Sequence, residues 1–493
     1  MSVNQAGASI SLVGGGLVGS LLATGLARRG FEVELFERRS DPRTRAVYGG
    51  RSINLALSVR GVHALRQLGL YQRILSGAIP MRGRMMHAVD GALTFQPYGV
   101  EDWQCIYSIS RGDLNRVLLT AAEETGRVRV RFEQKLVAAQ AMGPGLELEF
   151  HQETEDKTSR IYRRRVIGTD GSASVLRSAV VKANRGRCSE EPLDYGYKEL
   201  AIAPNDGASG DARFKMEKHA LHIWPRGNFM LIALPNFDGS FTLTLFLPHE
   251  GPVSLDKLRT PAEVREFFTK YFPDTLPLIE DLEGTFFGNP TGHMVTVKTN
   301  PWNWDSRALL LGDAAHAIVP FFGQGMNCGF EDCSELFSRM DAMLHSLTTG
   351  LANTDADAAW CSLFNAVSEI RWRNSDAIAD MAVENFVEMR DRVGDRQFLN
   401  EKALEKRLQL RYPREYISKY SLVSFSRVPY TIAVEAGAAQ EKFLKSVCVA
   451  GADPAQLDIE AMHGRIRDEI APILIPFLPE GLKNGYAEVG GHS

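Results

Sequence analysis

The sequence has few of the features that mark a secreted, membrane-spanning or polyanion-binding chain. Its 493 residues hold six cysteines, at 105, 188, 328, 333, 361 and 448, with no C-x-x-C pair and no histidine beside them at zinc-ligand spacing. That pattern argues against a disulfide framework, and the expectation is reduced thiols and no metal. Neither sign of charge is in excess: 56 Lys and Arg against 60 Asp and Glu leave a net charge of −4, which gives no electrostatic footprint for nucleic acid. No apolar run approaches the ~20 residues a spanning helix needs. The strongest one near the end, Ile470 to Leu478, is interrupted by Pro472 and Pro476. Met1 to Ala8 carries neither a basic stretch nor an apolar core, so a signal peptide is not expected. Internal repeats and low-complexity linkers are missing too, which predicts interleaved domains in a cytoplasmic protein.

What is present begins at Ile10-Ser-Leu-Val-Gly-Gly-Gly-Leu-Val-Gly-Ser20, an apolar strand entering a turn with Gly14, Gly16 and Gly19 at G-x-G-x-x-G spacing. Glycines so placed allow a tight turn, close approach of the backbone to a pyrophosphate, and a helix packed against its strand. The context agrees with that reading. Leu17, Leu21, Leu22 and Leu26 recur at helical spacing, and Gly30 stands where a helix would stop. Phe31, Val33 and Leu35 then alternate with acids, and the strand ends at Glu37, about 20 residues past the glycines, where a carboxylate meets a ribose hydroxyl. Arg38, Arg39, Arg43 and Arg45 follow, either as a solvated loop or as phosphate contacts for the bound dinucleotide or a visiting NADPH.

Further along, Ser108 to Leu119 reads as a strand end, Arg111 and a helix buried through Leu114, Val117 and Leu118. Val128 to Val137 and Leu146 to His151 read as hairpin strands, and Val166-Ile-Gly-Thr-Asp-Gly171 as a strand stopping in a turn. Residues 185 to 290 are strand-rich, with turn signals at hairpin distance, which predicts an antiparallel sheet. Ala308-Leu-Leu-Leu311 is an apolar strand ending in Gly312-Asp313, and the remainder is helical, with Trp372, Ala379, Val383 and Phe386 spaced as one buried face. The predicted class is α/β: a Rossmann-like dinucleotide domain over 1–75, 106–182 and 291–345, a β-sheet substrate domain over 76–105 and 183–290, and a helical region over 346–493.

Three pieces can converge on one dinucleotide: the glycine turn, Asp170-Gly171, and Gly312-Asp313. A helix starting near Gly323-Gln-Gly-Met-Asn327 would aim free amides at a ring lying there. His316 reads as a structural hydrogen-bonder and His222 as a sheet residue.

Together these motifs resemble the single-component FAD-dependent aromatic hydroxylases. Arg51-Ser-Ile-Asn-Leu-Ala-Leu57, Met81-Arg-Gly-Arg-Met85, Gln96-Pro-Tyr-Gly99, Gly196-Tyr-Lys-Glu-Leu200, Val319-Pro-Phe-Phe-Gly-Gln-Gly-Met-Asn327 and Ser424-Phe-Ser-Arg427 are similar to the branch that hydroxylates L-kynurenine. The resemblance implies FAD held by Gly14, Gly16, Leu17, Val18, Gly19, Glu37, Arg38, Arg111, Asp170, Asp313, Gly325, Met326 and Asn327. It implies substrate contacts from Arg84, Tyr98 and Tyr420 to the amino-acid carboxylate, with Asn385, Pro320, Phe321 and Gln324 nearby. The implied reaction, in tryptophan catabolism or a derived biosynthetic route, uses NADPH as a transient reductant and molecular oxygen. It is centred on the flavin, through a C4a-hydroperoxide, with no side chain as obligatory base. A substituted kynurenine or other aryl amino acid as substrate, and a catalytically silent FAD-binding or sensing protein, remain open. Trp302-Asn-Trp304 is similar to the start of the flavin halogenase motif, but Asp305-Ser306 does not continue it. Departures from the hydroxylase pattern are Thr169 where many relatives carry alanine, Phe322 where some carry histidine, and the segment from about Val449 onward.

Overall fold

The computed structural model describes residues 9–44, 54–99, 101–349, 355–388, 396–449 and 452–478. Arg45 and the Arg51-Ser-Ile start of one resemblance motif lie outside them. The chain forms two compact units: Met1–Ala78, Ile109–Leu193 and Met294–Ala379 make one, and Ile79–Ser108, Asp194–His293 and Asp380–Ser493 the other. The C-terminal helices divide between these two units at Ala379.

The first unit is built on a six-stranded sheet in the order Asn303–Trp304, Ala308–Leu310, Val166–Gly168, Ser9–Val13, Glu32–Phe36, Val128–Arg131. All neighbours are parallel except the first pair. Strands buried on both faces need continuous apolar sequence, and Ile10, Leu12, Val13, Val166, Ile167, Leu309 and Leu310 supply it. The helix Leu17–Arg28 that follows the first strand is buried continuously from Gly19 to Ala27, more deeply than its leucine stripe indicates. It can be so because small residues alternate with the leucines. A Cβ on Gly25 would stand 2.0 Å from Phe337 of the helix Gly325–Thr349, so only glycine admits that approach.

Two expectations need correcting here. Val128 to Val137 is not one hairpin strand: Val128–Arg131 joins the parallel sheet beside Glu32–Phe36, and the chain turns at Glu133, with φ +60°, before Lys135–Met142. That strand starts a three-stranded antiparallel meander with Gly145–Gln152 and Lys157–Arg163. Its third strand is polar because no residue in it is buried, so it carries no apolar alternation to read. The buried face of the helix Ala356–Val387 is also shifted. Val367, Arg371, Ser375, Ile378 and Ala379 are buried, while Trp372 and Val383 are only partly so, because the stripe contains a buried arginine that an apolar search skips.

In the second unit the sheet runs Arg187–Ile202 (from Asp194 onward), Phe241–Pro248, Met230–Pro235, Ala220–Pro225, Gly83–His87, Leu93–Pro97. It is antiparallel, as expected, except that Ala220–Ile223 runs parallel to Gly83–Met86, a pairing between segments far apart in sequence that no hairpin constrains. Its core packs Leu200, Trp224, Leu231, Phe241, Leu243 and Leu245 against Val264, Phe267 and Phe268 of the helix Pro261–Tyr271. That helix opens on a Thr260/Glu263 capping box. No helix among the described residues is long and apolar enough to cross a membrane.

Candidate functional site

In the first unit the glycine turn has the shape its spacing implies. Gly14 adopts φ +105°, and a Cβ there would lie 2.3 Å from Thr169 O; a Cβ on Gly19 would lie 1.9 Å from Gly14 O. Gly16 is different, since nothing stands within 4 Å of where its Cβ would be. Gly16 is also the N-cap of the helix Leu17–Arg28, and no side chain caps it. Leu17, Val18 and Gly19 form that first turn. An open backbone at an uncapped helix N-terminus suits a pyrophosphate, so the residues present fit the dinucleotide. Glu37 braces the turn, accepting from Gly15 N–H at 2.7 Å and Arg39 N–H at 2.9 Å, while Arg38 is exposed beside it.

Asp170 is mainly a cap. It accepts from Ser174 Oγ at 2.6 Å and from the backbone N–H of Val175 and Leu176 at 3.0 and 3.4 Å, at the start of the helix Val175–Asn184. Burial pushes its carboxyl up against those donors. Thr169 shares its hydroxyl proton between Gly14 O at 2.8 Å and Val13 O at 3.1 Å, so the departure from alanine adds a link between the two motifs.

Asp313 lies in the short turn Gly312–Ala314 and is solvent-exposed. Protein packed around it nevertheless raises its carboxyl pKa, against the opposing pull of His316 and Arg111. Arg111 opens the helix Arg111–Glu123, is exposed, and makes no ion pair among the described residues.

The loop Pro320–Phe322 ends at Gly323, φ +65°, and the helix Gly325–Thr349 begins two residues later. Pro320 is exposed, while Phe321 and Gln324 are buried, with Gln324 facing Ser58. Gly325 and Met326 offer backbone amides at the helix start. Asn327 has its side chain committed elsewhere: Nδ2 donates to Ala56 O at 2.8 Å and Gly323 O at 2.9 Å, and Oδ1 accepts from Ser58 N–H at 2.9 Å. Only its backbone is left for a ligand.

A buried ionic cluster of Arg60, Glu331, Asp332, Arg371 and His316 lies under this helix, and it was not apparent from the sequence except for His316. The available signal was Glu331-Asp332 set among Phe330, Cys333 and Leu336 in an otherwise apolar helix face. His316 is indeed structural, held 2.6 Å from Asp332 Oδ2 and stacked on Trp302 at 5.1 Å.

In the second unit three expected residues come together. Arg84, on the strand Gly83–His87, places its guanidinium 5.7 Å from the Tyr98 ring and 4.8 Å from the Tyr420 ring. The two rings stack at 5.6 Å, and Phe425 closes the cluster at 6.3 and 6.1 Å from them. No carboxylate among the described residues pairs with Arg84, and both its Nε and Tyr98 Oη are buried without a hydrogen-bond partner. Burial pushes the Tyr98 hydroxyl well up, so it stays neutral and able to donate. A buried cation with neutral hydroxyls beside it and no carboxylate to neutralise it is the complement of an anion. Asn385 lies near the end of the helix Ala356–Val387, next to Phe386, which packs edge-on against Tyr195 at 4.8 Å.

Fold and cradle define an FAD-binding flavoprotein of the monooxygenase class: residues 8–195 and 274–353 match the FAD binding domain family. The fold is similar to 2-methyl-3-hydroxypyridine-5-carboxylic acid oxygenase, with TM-score 0.59 and 18% identity, covering 78% of this chain and 93% of that one. PqsL of Pseudomonas aeruginosa, in complex with 2-aminobenzoylacetate, is similar at TM-score 0.57 and 19% identity, covering 78% and 97%. Full-length likeness is much closer to the kynurenine 3-monooxygenase of Myxococcus xanthus, 51% identical over 466 residues, 94% of this chain and 96% of the relative. The enzyme of that name from Dictyostelium discoideum is 43% identical over 450 residues, covering 91% and 95%. The chain belongs to the kynurenine 3-monooxygenase family.

Proposed function

We propose that this protein hydroxylates L-kynurenine at ring carbon 3, consuming NADPH and molecular oxygen, and that Arg84 and Tyr98 are the residues that select the substrate. The observation that carries the reading is the Arg84 guanidinium, its Nε buried, set against Tyr98 and Tyr420 with no carboxylate ion-paired to it among the described residues. Arg84 presents a fork to the amino-acid carboxylate, Tyr98 and Tyr420 donate from either side, and Asn385 adds a polar contact. Pro320, Phe321 and Gln324 are the further substrate contacts that the family resemblance implies. Bound FAD supplies the redox chemistry that links NADPH to oxygen. The glycine turn with Leu17 and Val18, Glu37 and Arg38 would hold its adenosine and pyrophosphate side, and Arg111, Asp313 and the turn capped by Asp170 would lie toward its ribityl chain. The amides of Gly325, Met326 and Asn327, at the start of the helix Gly325–Thr349, would face its ring. Position and exclusion of water are the protein's share, and no side chain acts as an obligatory base. The carbon beside the aryl amine is already enriched by the nitrogen lone pair, which directs oxygen there. Six free cysteines suit a reducing, cytoplasmic setting.

The test is substrate-stimulated NADPH oxidation by purified holoenzyme with L-kynurenine and with its decarboxylated analogue. Strong stimulation by the first and little by the second is expected. Equal stimulation by both removes the carboxylate-gripping role, and none by either removes the kynurenine reading.

A further inference from the structure

One carboxylate in the buried cluster touches more of the cofactor cradle than any other group in it. Asp332 is fully buried, eight residues into the helix Gly325–Thr349. Its Oδ2 accepts from Gly312 N–H at 2.9 Å and lies 2.6 Å from His316 Nε2, while its Oδ1 accepts from Arg371 Nε at 2.8 Å. Gly312 sits at φ +60° immediately before Asp313, so the bond fixes the turn that presents Asp313. The same turn is wedged against the glycine loop: a Cβ on Gly312 would come within 2.9 Å of Val18 Cγ2, and one on Gly329 within 2.7 Å of the same methyl. Asp332 therefore ties together the Asp313 turn, the helix whose first amides are Gly325 and Met326, and, through Gly312, Val18 of the pyrophosphate turn.

The neighbouring charges hold Asp332 in place. Arg371 bridges Asp332 and Glu331, with Nη1 at 2.8 Å from Glu331 Oε2, and Arg60 pairs with the other Glu331 oxygen. Burial works against ionisation of Asp332, but His316 and Arg371 overcome it and keep the carboxyl below its usual range. Glu331 is also buried and shares the arginine partner, and its hydrogen bonds and ion pairs among the described residues go to Arg371 and Arg60, not to the Gly312 turn. It is a built-in control.

We propose that Asp332, oriented by Arg371 and His316, is the positioning residue of the FAD site: it sets the Gly312–Asp313 turn in the geometry that binds flavin. The proposal rests on the FAD reading and is independent of which aryl amino acid is hydroxylated.

The experiment compares Asp332→Asn with Glu331→Gln. Each is purified, stripped of flavin, and titrated with FAD by quenching of flavin fluorescence, and each is unfolded thermally in the apo state. Asp332→Asn should weaken FAD by about tenfold or more, as expected when a charge-assisted bond to the turn is lost, and should shift the visible spectrum of the residual bound flavin. Glu331→Gln should lower the apo Tm comparably while leaving FAD affinity within about threefold. If both variants lose FAD in proportion to Tm, or Asp332→Asn binds FAD as the unmodified protein does, the positioning role is wrong. Should Asp332→Asn not fold, His316→Gln and His316→Ala carry the test. The glutamine retains a donor for Asp332 Oδ2 and should restore the FAD affinity that the alanine loses, and equal affinity in the two contradicts the proposal.

Discussion

Thr169 hydroxyl donates to the carbonyl oxygen of Gly14 at 2.8 Å, joining the aspartate-glycine turn to the first glycine of the nucleotide cradle. The residue at 169 thus adds a polar link where alanine could make none. Thr169→Ala is expected to lower the stability of the apo protein by ~1 kcal/mol, the net value of one hydrogen bond, and to leave hydroxylation nearly unchanged. Equilibrium urea denaturation of both forms checks it. A loss of several kcal/mol would mean that the turn collapses without the hydroxyl.

Asp313 reaches solvent from a short turn and takes part in no hydrogen bond or ion pair with other described residues, so its carboxylate is available to a ligand. Asp313→Ala should fold with unchanged Tm in the apo state and release FAD on gel filtration. A variant that purifies fully yellow, with the affinity of the unmodified protein, contradicts the assignment.

Tyr98 carries a buried hydroxyl with no close hydrogen-bond partner among the described residues. Removing an unsatisfied polar atom costs nothing in folding and can gain stability, whereas the same atom is needed once a carboxylate arrives. Tyr98→Phe should therefore be as stable as the parent or slightly more so, while its KM for kynurenine rises by about tenfold. Arg84→Ala should weaken kynurenine by the ~2–5 kcal/mol typical of a charge pair losing one member, with FAD affinity intact. A parallel loss of flavin and substrate in either variant would sink the carboxylate role.

His222 lies between His87 Nε2 and Glu217 O, each 2.8 Å away, and burial lowers its pKa from 6.5 to about 4. Because the folded value is depressed, the unfolded chain takes up a proton at this site between pH 6.5 and about 4 while the folded chain does not. Stability should fall as pH drops through that window, and this contribution, on the order of 3 kcal/mol, should level off below it. Measuring ΔG of unfolding from pH 7 to 4 for the parent and for His222→Gln gives the check. The variant should show the shallower slope, and parallel slopes would remove His222 from the acid limb.

The cofactor cradle was legible because phosphate binding demands glycine at fixed spacing, and Gly14, Gly16 and Gly19 can be read one by one. The trio of Arg84, Tyr98 and Tyr420 was legible only through resemblance, since no period or spacing links residues 84, 98 and 420. Asp332 and Arg371 escaped notice for a different reason. A charged side chain in a helix reads as solvent-facing unless its partner is known, and the arginine partner of Asp332 lies 39 residues away. The parallel pairing of Ala220–Ile223 with Gly83–Met86 was hidden for the same cause, because strand partners distant in sequence leave no local mark.

Hydroxylation of kynurenine is decided by product analysis with mass spectrometry. Holoenzyme incubated with NADPH, oxygen and a panel of aryl amino acids should convert L-kynurenine to a product heavier by one oxygen atom, with the label entering from ¹⁸O₂ and the hydroxyl at carbon 3. NADPH consumed with no oxygenated kynurenine, or oxygen inserted only into another member of the panel, would contradict it.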